Sequence, residues 1–237
     1  MYHTGVVPII EYASGIWGFK NFKQAENVQN RAVRYFLGVN NKTPLEFLQG
    51  ETGWTRPKYR IYLNMLRFYN RLVRMNHDRL TYKIFEYDLQ NFSSDSWSGE
   101  LENILEDLNL QDNLLLGQEV DLEIAEEKLK IIGDLDWQDN IGSKSKLRTY
   151  TKHKQHMETE NNLTLNVNKY ERSVLAQLRS GTLPLSIEKG RHREKSLENR
   201  TCLVCNTNQF EDELHFVIDR DRFVQEGVHF SCIYPLM

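Results

Sequence analysis

Between Pro57 and His77, in "PKYRIYLNMLRFYNRLVRMNH", apolar positions recur every three or four residues, the step that keeps side chains on one face of a helix. Ile61, Met65, Phe68, Leu72 and Met75 form the stripe, and Tyr62, Leu66, Tyr69 and Val73 widen it. Pro57 suits a first helical turn, where the amide hydrogen it lacks would have no partner. Arg60, Asn64, Arg67, Arg71 and Arg74 fall together on the opposite side, within roughly 80° at about 100° per residue. Upstream, "NFKQAENVQNRAVRYFLG" approximates a capping box with Asn21 and Gln24. Its spacing predicts Ala25, Val28, Ala32 and Tyr35 as the inner stripe, with Lys23, Asn27, Asn30, Arg31 and Arg34 outside and Gly38 as the stop.

Two acidic amphipathic helices are predicted in "ELENILEDLNL" and "VDLEIAEEKLKII", the second with Leu122, Ala125, Leu129 and Ile132 at helical steps. A further helix in "NKYERSVLAQLRSG" places Tyr170, Val174 and Leu178 on one side and ends at Gly181. Ser-rich "DLQNFSSDSWSGE" reads as a loop, and 182–199, broken by Pro184 and Gly190, reads as extended or looped. Strand-like alternation is scarce, and neither an internal repeat nor a low-complexity tract occurs. The expected fold class is mainly α, with a small Cys/His appendage.

Composition narrows the class of protein. At 40% hydrophobic and 27% charged the chain has material for a core and does not resemble a disordered segment. No run approaches the roughly 18 apolar residues of a membrane span, so no membrane partner is expected. The start "MYHTGVVPIIEY" lacks the basic leader of a signal peptide. Three cysteines cannot pair completely, which fits a reducing compartment. An intracellular location, nuclear or cytoplasmic, follows as the expectation.

Charge changes the picture further. Residues 1–80 carry 12 Lys/Arg against 5 Asp/Glu, 86–140 carry 2 against 16, and 144–200 carry 13 against 6. Basic outer thirds are where a polyanion would bind, since Lys and Arg that neutralise phosphates supply most sequence-independent affinity for nucleic acid. Solvated faces of packed helices also carry such charge. Candidate phosphate contacts are Arg60, Arg67, Arg71 and Arg74 on the helix after Pro57, and Lys144, Lys146, Arg148, Lys152 and Lys154 further on.

The chemistry-bearing stretch is "TCLVCNTNQFEDELHFVIDRDRF", where Cys202, Cys205 and His215 have the spacing C-x2-C-x9-H. A closed structural zinc site needs four sulfur or nitrogen ligands, and no fourth is obvious. Glu211, Asp212 and Glu213 are adjacent, so neither a strand nor a helix would converge all three on one ion. They are read as the cap of a short helix leading to His215. Phe210 and Phe216 could stack on bases, although Phe216 suits the small core of the tip equally well.

Taken in order, "VPIIEYASGIWG", "VQNRAVRYFLGV", "ETGWTRPKYR", "SKLRTYTKHK", "RSVLAQLRSGTLPL", "EKGR", "NRTCLVC" and "EDELHF" resemble the region after the polymerase core of non-LTR (LINE-type) retrotransposon reverse transcriptases. The resemblance runs from about Pro8 to Phe223. It implies a thumb-like helical segment over 1–56, a helical linker with an acidic second half over 57–140, a basic helix and loop region over 141–200, and a CCHC zinc knuckle with a tail over 201–237. Cys202, Cys205 and His215 match the first three ligands of that knuckle, and Arg220 stands where the family has its last cysteine. Arginine offers only N–H donors and cannot replace a thiolate. Three outcomes stay open: no significant zinc, zinc completed by His229, Cys232 or Asp219, or a weak three-ligand site. Zinc is thus expected to be weak or absent.

The paired aspartates that hold the two metals of polymerase chemistry do not occur, and no nucleophile or phosphate-loop motif takes their place. The chain is expected not to be an enzyme. Its leading function is that of a non-catalytic C-terminal fragment of a retrotransposon reverse transcriptase polyprotein, binding RNA or DNA and associated with the polymerase portion of a retroelement. The alternatives are a helical protein-interaction scaffold built on the acidic helices, or a decayed fragment. The start within the thumb-like region, the short tail and Arg220 would fit the latter.

Overall fold

The computed structural model describes residues 2–19, 22–165, 167–203 and 208–219. Among these residues the chain is mainly helical and forms no strand, only isolated bridges from Thr52 to Thr159 and from Thr201 to Phe210. The α-helices are α1 (Val7–Ile10), α2 (Ser14–Trp17), α3 (Lys23–Leu37), α4 (Leu45–Thr52), α5 (Pro57–Val73), α6 (Leu80–Gln90), α7 (Trp97–Asp107), α8 (Gln111–Leu115), α9 (Leu122–Ile141), α10 (Tyr150–His153), α11 (Lys169–Arg179) and α12 (Ser186–His192). Contacts divide the chain into two discontinuous units, 1–32 with 55–136, and 33–54 with 137–237. The division falls inside α3 and α9.

The first unit is built on α5. Pro57 opens it as expected, and Met65, Leu66, Tyr69 and Leu72 are buried against Leu101, Ile104 and Leu105 of α7 and Ala125 and Leu129 of α9. Each such side chain contributes roughly 1.5–3 kcal/mol on leaving water. Polar groups in this core are matched. Asn70 donates to Val120 O at 2.7 Å and accepts from Val120 N at 2.8 Å, so one side chain satisfies both backbone groups of a residue that precedes α9. Gly15 lets α2 lie on α5, since a Cβ there would stand 2.7 Å from Asn64 O. The indole of Trp97 donates to Gly15 O at 2.8 Å and ties α7 to the same turn.

The second unit gathers Leu37, Phe47, Leu48, Trp137, Leu147 and Tyr150 into its core. Gly50 makes room for the last pair of rings, because a Cβ would come within 2.6 Å of the Tyr150 hydroxyl and 2.9 Å of Trp137. The Trp137 indole donates to Glu46 O at 2.7 Å. Beside this core lies a buried charge network. Arg179 donates to Glu51 at 2.8 Å and Glu160 at 2.9 Å, and Lys154 donates to Glu160 at 2.5 Å and to Glu158 O at 2.7 Å. Glu51 is 0% exposed. Burial lifts its pKa above the usual carboxylate range, and the Arg179 charge opposes that rise. Burial also pushes the Tyr150 hydroxyl upward, with the Glu51 charge adding to the effect.

Several local readings need correction. In α3 the inward face is Ala25, Gln29, Val33 and Leu37, while Val28 and Tyr35 are exposed. The buried positions step by four throughout, and a polar Gln29 on that line, whose amide donates to Thr55 O, disguised it. In α11 Ala176, Leu178 and Arg179 are buried, and Tyr170 and Val174 are exposed. Asn168 and Glu171 close a full capping box at its start. The loop expected over 182–199 contains α12. Its first amide, Ser186 N, donates to Glu211 at 2.8 Å, a cap supplied from 25 residues away that no local rule would find. α6 also forms where no helix was predicted, which confines the Ser-rich loop to 91–96.

Candidate nucleic-acid interface

The polar row on α5 divides into its ends and its middle. Arg60 donates to Glu11 at 2.6 Å and to Gln29 at 3.0 Å. Arg74 forks onto the two carboxylate oxygens of Glu119, and those donated hydrogen bonds hold the Glu119 carboxyl below its usual range. Between them, Arg67 bonds Asn64 Oδ1 at 2.8 Å within the helix, and Asn64 donates to Ser14. Arg67 and Arg71 are exposed, one turn apart, and line an open depression of about 490 Å³ with Tyr12, Ser14, Ile16 and Phe68.

The second basic stretch has a different fate. Lys144 meets Glu46 and Lys146 meets Glu188, each at 3.2 Å. Arg148 straddles Glu213 with bonds of 2.8 and 2.9 Å, and Thr149 donates to the same carboxylate at 3.0 Å. Lys154 is buried in the Glu160 pair. Lys152 is exposed.

A basic and aromatic cluster that the sequence reading did not select lies in the second unit, where the end of α3 meets the start of α11. Lys169 Nζ sits 4.1 Å from the centre of the Tyr35 ring, and the Arg172 guanidinium sits 4.4 Å from that of Phe36. Tyr35 is 74% exposed and Phe36 42%. Arg172 Nε donates to Phe36 O at 2.9 Å and Ser173 to Gly38 O at 2.6 Å, so α11 side chains satisfy the open carbonyls that end α3. Gly38 adopts φ +68° as its stop role requires. Tyr170, next to Lys169, is 77% exposed. Adjacent "YF" in one helix and "KYER" in another were the available signal, but nothing local places them together.

At the tip, the three adjacent acids diverge. Glu211 accepts from Ser186 N and Oγ, Asp212 accepts from His215 N at 2.8 Å, and Glu213 takes Arg148 and Thr149. Asp212 thus supplies the cap ahead of His215, while its neighbours fasten other elements. Cys202 and His215 are buried, and the Cys202 thiol donates to Glu211 Oε1 at 3.9 Å. Cys205, Arg220, His229 and Cys232 lie outside the described residues, as does the side chain of Asp219. Among the described residues no three His, Cys, Asp or Glu side chains gather about a point that could hold a metal.

An apolar groove of about 590 Å³ opens in the first unit, between Ile16, Phe68, Phe85 and Trp97, with Ile84 and Tyr87 exposed on its rim. No helix among the described residues is long and apolar enough to cross a membrane. Neither a protein-family model, nor a curated protein, nor a solved structure matches the chain.

Proposed function

We propose that this chain is the non-catalytic, nucleic-acid-binding C-terminal portion of a non-LTR retrotransposon reverse transcriptase. The observation that carries the reading is the cluster of exposed Tyr35 and Phe36 rings with Lys169 and Arg172 upon them. A single-stranded nucleic acid needs such a surface, with aromatic faces for its bases and cations for its phosphates. The resemblance in the order of sequence phrases supports the same class, and Arg67 and Arg71 add phosphate contacts on α5. On this reading the tip is a knuckle with one corner replaced by Arg220, and it holds zinc weakly or not at all.

The test is fluorescence anisotropy with single-stranded RNA and DNA across a salt series. Binding should weaken steeply with salt. Tyr35→Ala should cost about 1–3 kcal/mol of affinity, the worth of one base stacked on an aromatic ring. Failure to bind either polymer in dilute buffer would end the proposal.

The apolar groove favours a second reading, a helical scaffold that captures a protein. Deleting 98–140 would remove Leu101, Ile104 and Leu105 from the first core, so the discriminating change is Ile84→Asp on the exposed rim. A scaffold loses its partner on that change, whereas RNA and DNA binding is indifferent to it.

A further inference from the structure

The second unit contains a small cavity whose lining includes four cationic residues. Lys189, Gly190 and Arg193 border it from α12 and just beyond, with Lys195, Arg200 and Thr201 from the following turn, around a volume of about 80 Å³. Among the described residues its lining includes no carboxylate. Glu188, the acid on the neighbouring helical position, is already held by Lys146 and Arg191.

The enclosure is built by specific local geometry. Arg200 Nε and Nη2 both donate to Lys195 O, at 3.0 and 2.7 Å, and Lys195 N donates to Gly190 O at 2.9 Å, so the turn is pinned at both ends. Gly190 admits the Arg200 stem, since a Cβ there would stand 2.5 Å from Arg200 Cγ. Glu194 takes a left-handed φ of +53°, a conformation that costs a residue with a side chain and persists where surrounding bonds enforce it. The turn thereby holds Arg193 and Lys195 beside Lys189 and Arg200. Each of these four cations would attract a bound anion. The space exceeds that of one water and suits a tetrahedral oxyanion. Guanidinium and ammonium donors match phosphate oxygens in geometry and charge.

We propose that this cavity binds a phosphate group, with Arg193, Lys195 and Lys189 as its charge donors. The inference does not rest on the nucleic-acid reading, because inorganic phosphate would satisfy the same site. Lys189, Arg193 and Lys195 are exposed, which makes them suitable for substitution without disturbing the core. Arg200 is unsuitable, since its guanidinium anchors the turn.

The test is calorimetric titration of the full chain with inorganic phosphate, against chloride at equal ionic strength. Saturable one-site binding is expected, weakened about tenfold or more in an Arg193→Gln, Lys195→Gln double variant, the effect of removing charge-assisted hydrogen bonds. Far-UV circular dichroism and the urea midpoint check that variant; if either shifts, Lys189→Gln replaces it and must weaken binding at least threefold. A phosphate response no larger than that of chloride, or wild-type affinity in the folded variant, overturns the site. Repeating the measurement with a single-stranded oligonucleotide identifies the source of the phosphate. Oligonucleotide affinity that falls with these substitutions and is competed by inorganic phosphate assigns the site to the polymer backbone. Unchanged oligonucleotide affinity beside lost phosphate binding assigns it to the free ion. Loss of nucleic-acid binding through Tyr35→Ala would leave the phosphate titration as it was, so the two proposals fail separately.

Discussion

Along α5 the guanidinium groups of Arg67 and Arg71 are exposed, whereas between Lys144 and Lys154 four of five cations meet a carboxylate. In the sequence the two stretches are equally basic and equally inviting as phosphate contacts. Their difference comes from their partners. On α5 Glu11 and Glu119 engage the ends of the row and leave its middle open. In the second stretch Glu46, Glu188, Glu213 and Glu160 each take a cation, and Lys154 is carried inside. A basic run therefore reports the charge a segment carries, and the carboxylates of distant elements decide how much of it faces solvent.

The largest effect should come from the buried end of that contrast. Arg179→Met leaves Glu51 in the interior without its cation, and breaking a buried pair from one side costs about 3–5 kcal/mol. Urea denaturation should show that loss, while Arg71→Gln leaves the midpoint unchanged. A loss below about 1 kcal/mol for Arg179→Met would mean that the pair contributes little.

A smaller effect should separate the two basic stretches in binding. Arg67→Gln with Arg71→Gln should flatten the dependence of log affinity on log salt by about two, one for each phosphate contact removed. Lys144→Gln with Lys146→Gln should leave that slope intact and lower the denaturation midpoint instead. Equal changes in slope would erase the distinction drawn from the ion pairs.

The smallest expected effect is a pH dependence. Because burial raises the Glu51 pKa in the folded protein, between the unfolded and the folded pKa the folded state holds a proton that the unfolded chain has released. The stabilisation from Glu51 is complete below its unfolded pKa and is lost as pH rises through the folded one. The stability difference between the natural chain and Glu51→Gln should therefore shrink with rising pH, starting near the ordinary carboxylate range, and then level off. A difference that grows with pH would show that Arg179 outweighs burial and holds Glu51 ionised.

Local rules were legible wherever a residue's own neighbours decide its state. Pro57 starts a helix, Gly38 and Gly181 end helices at positive φ, and Asp212 caps the turn leading to His215. The α5 stripe and the Leu122, Ala125, Leu129 and Ile132 positions of α9 pack as their periodicity predicts. Legibility failed where the partner is remote. Glu211 caps α12 across 25 residues, and Arg148 finds Glu213 across 65. Tyr35 and Lys169 become one surface through the docking of α3 on α11.

The sequence by itself determined that this chain is mainly helical, where α5 begins, where α3 and α11 end, and which residue types could meet phosphate or metal, because periodicity, capping and φ preference act over a few residues. Which cations remain at the surface, which aromatic rings lie beneath them and which acids are buried were settled by the tertiary structure. Coulomb attraction and burial act through space, and the fold alone sets the distances over which they act.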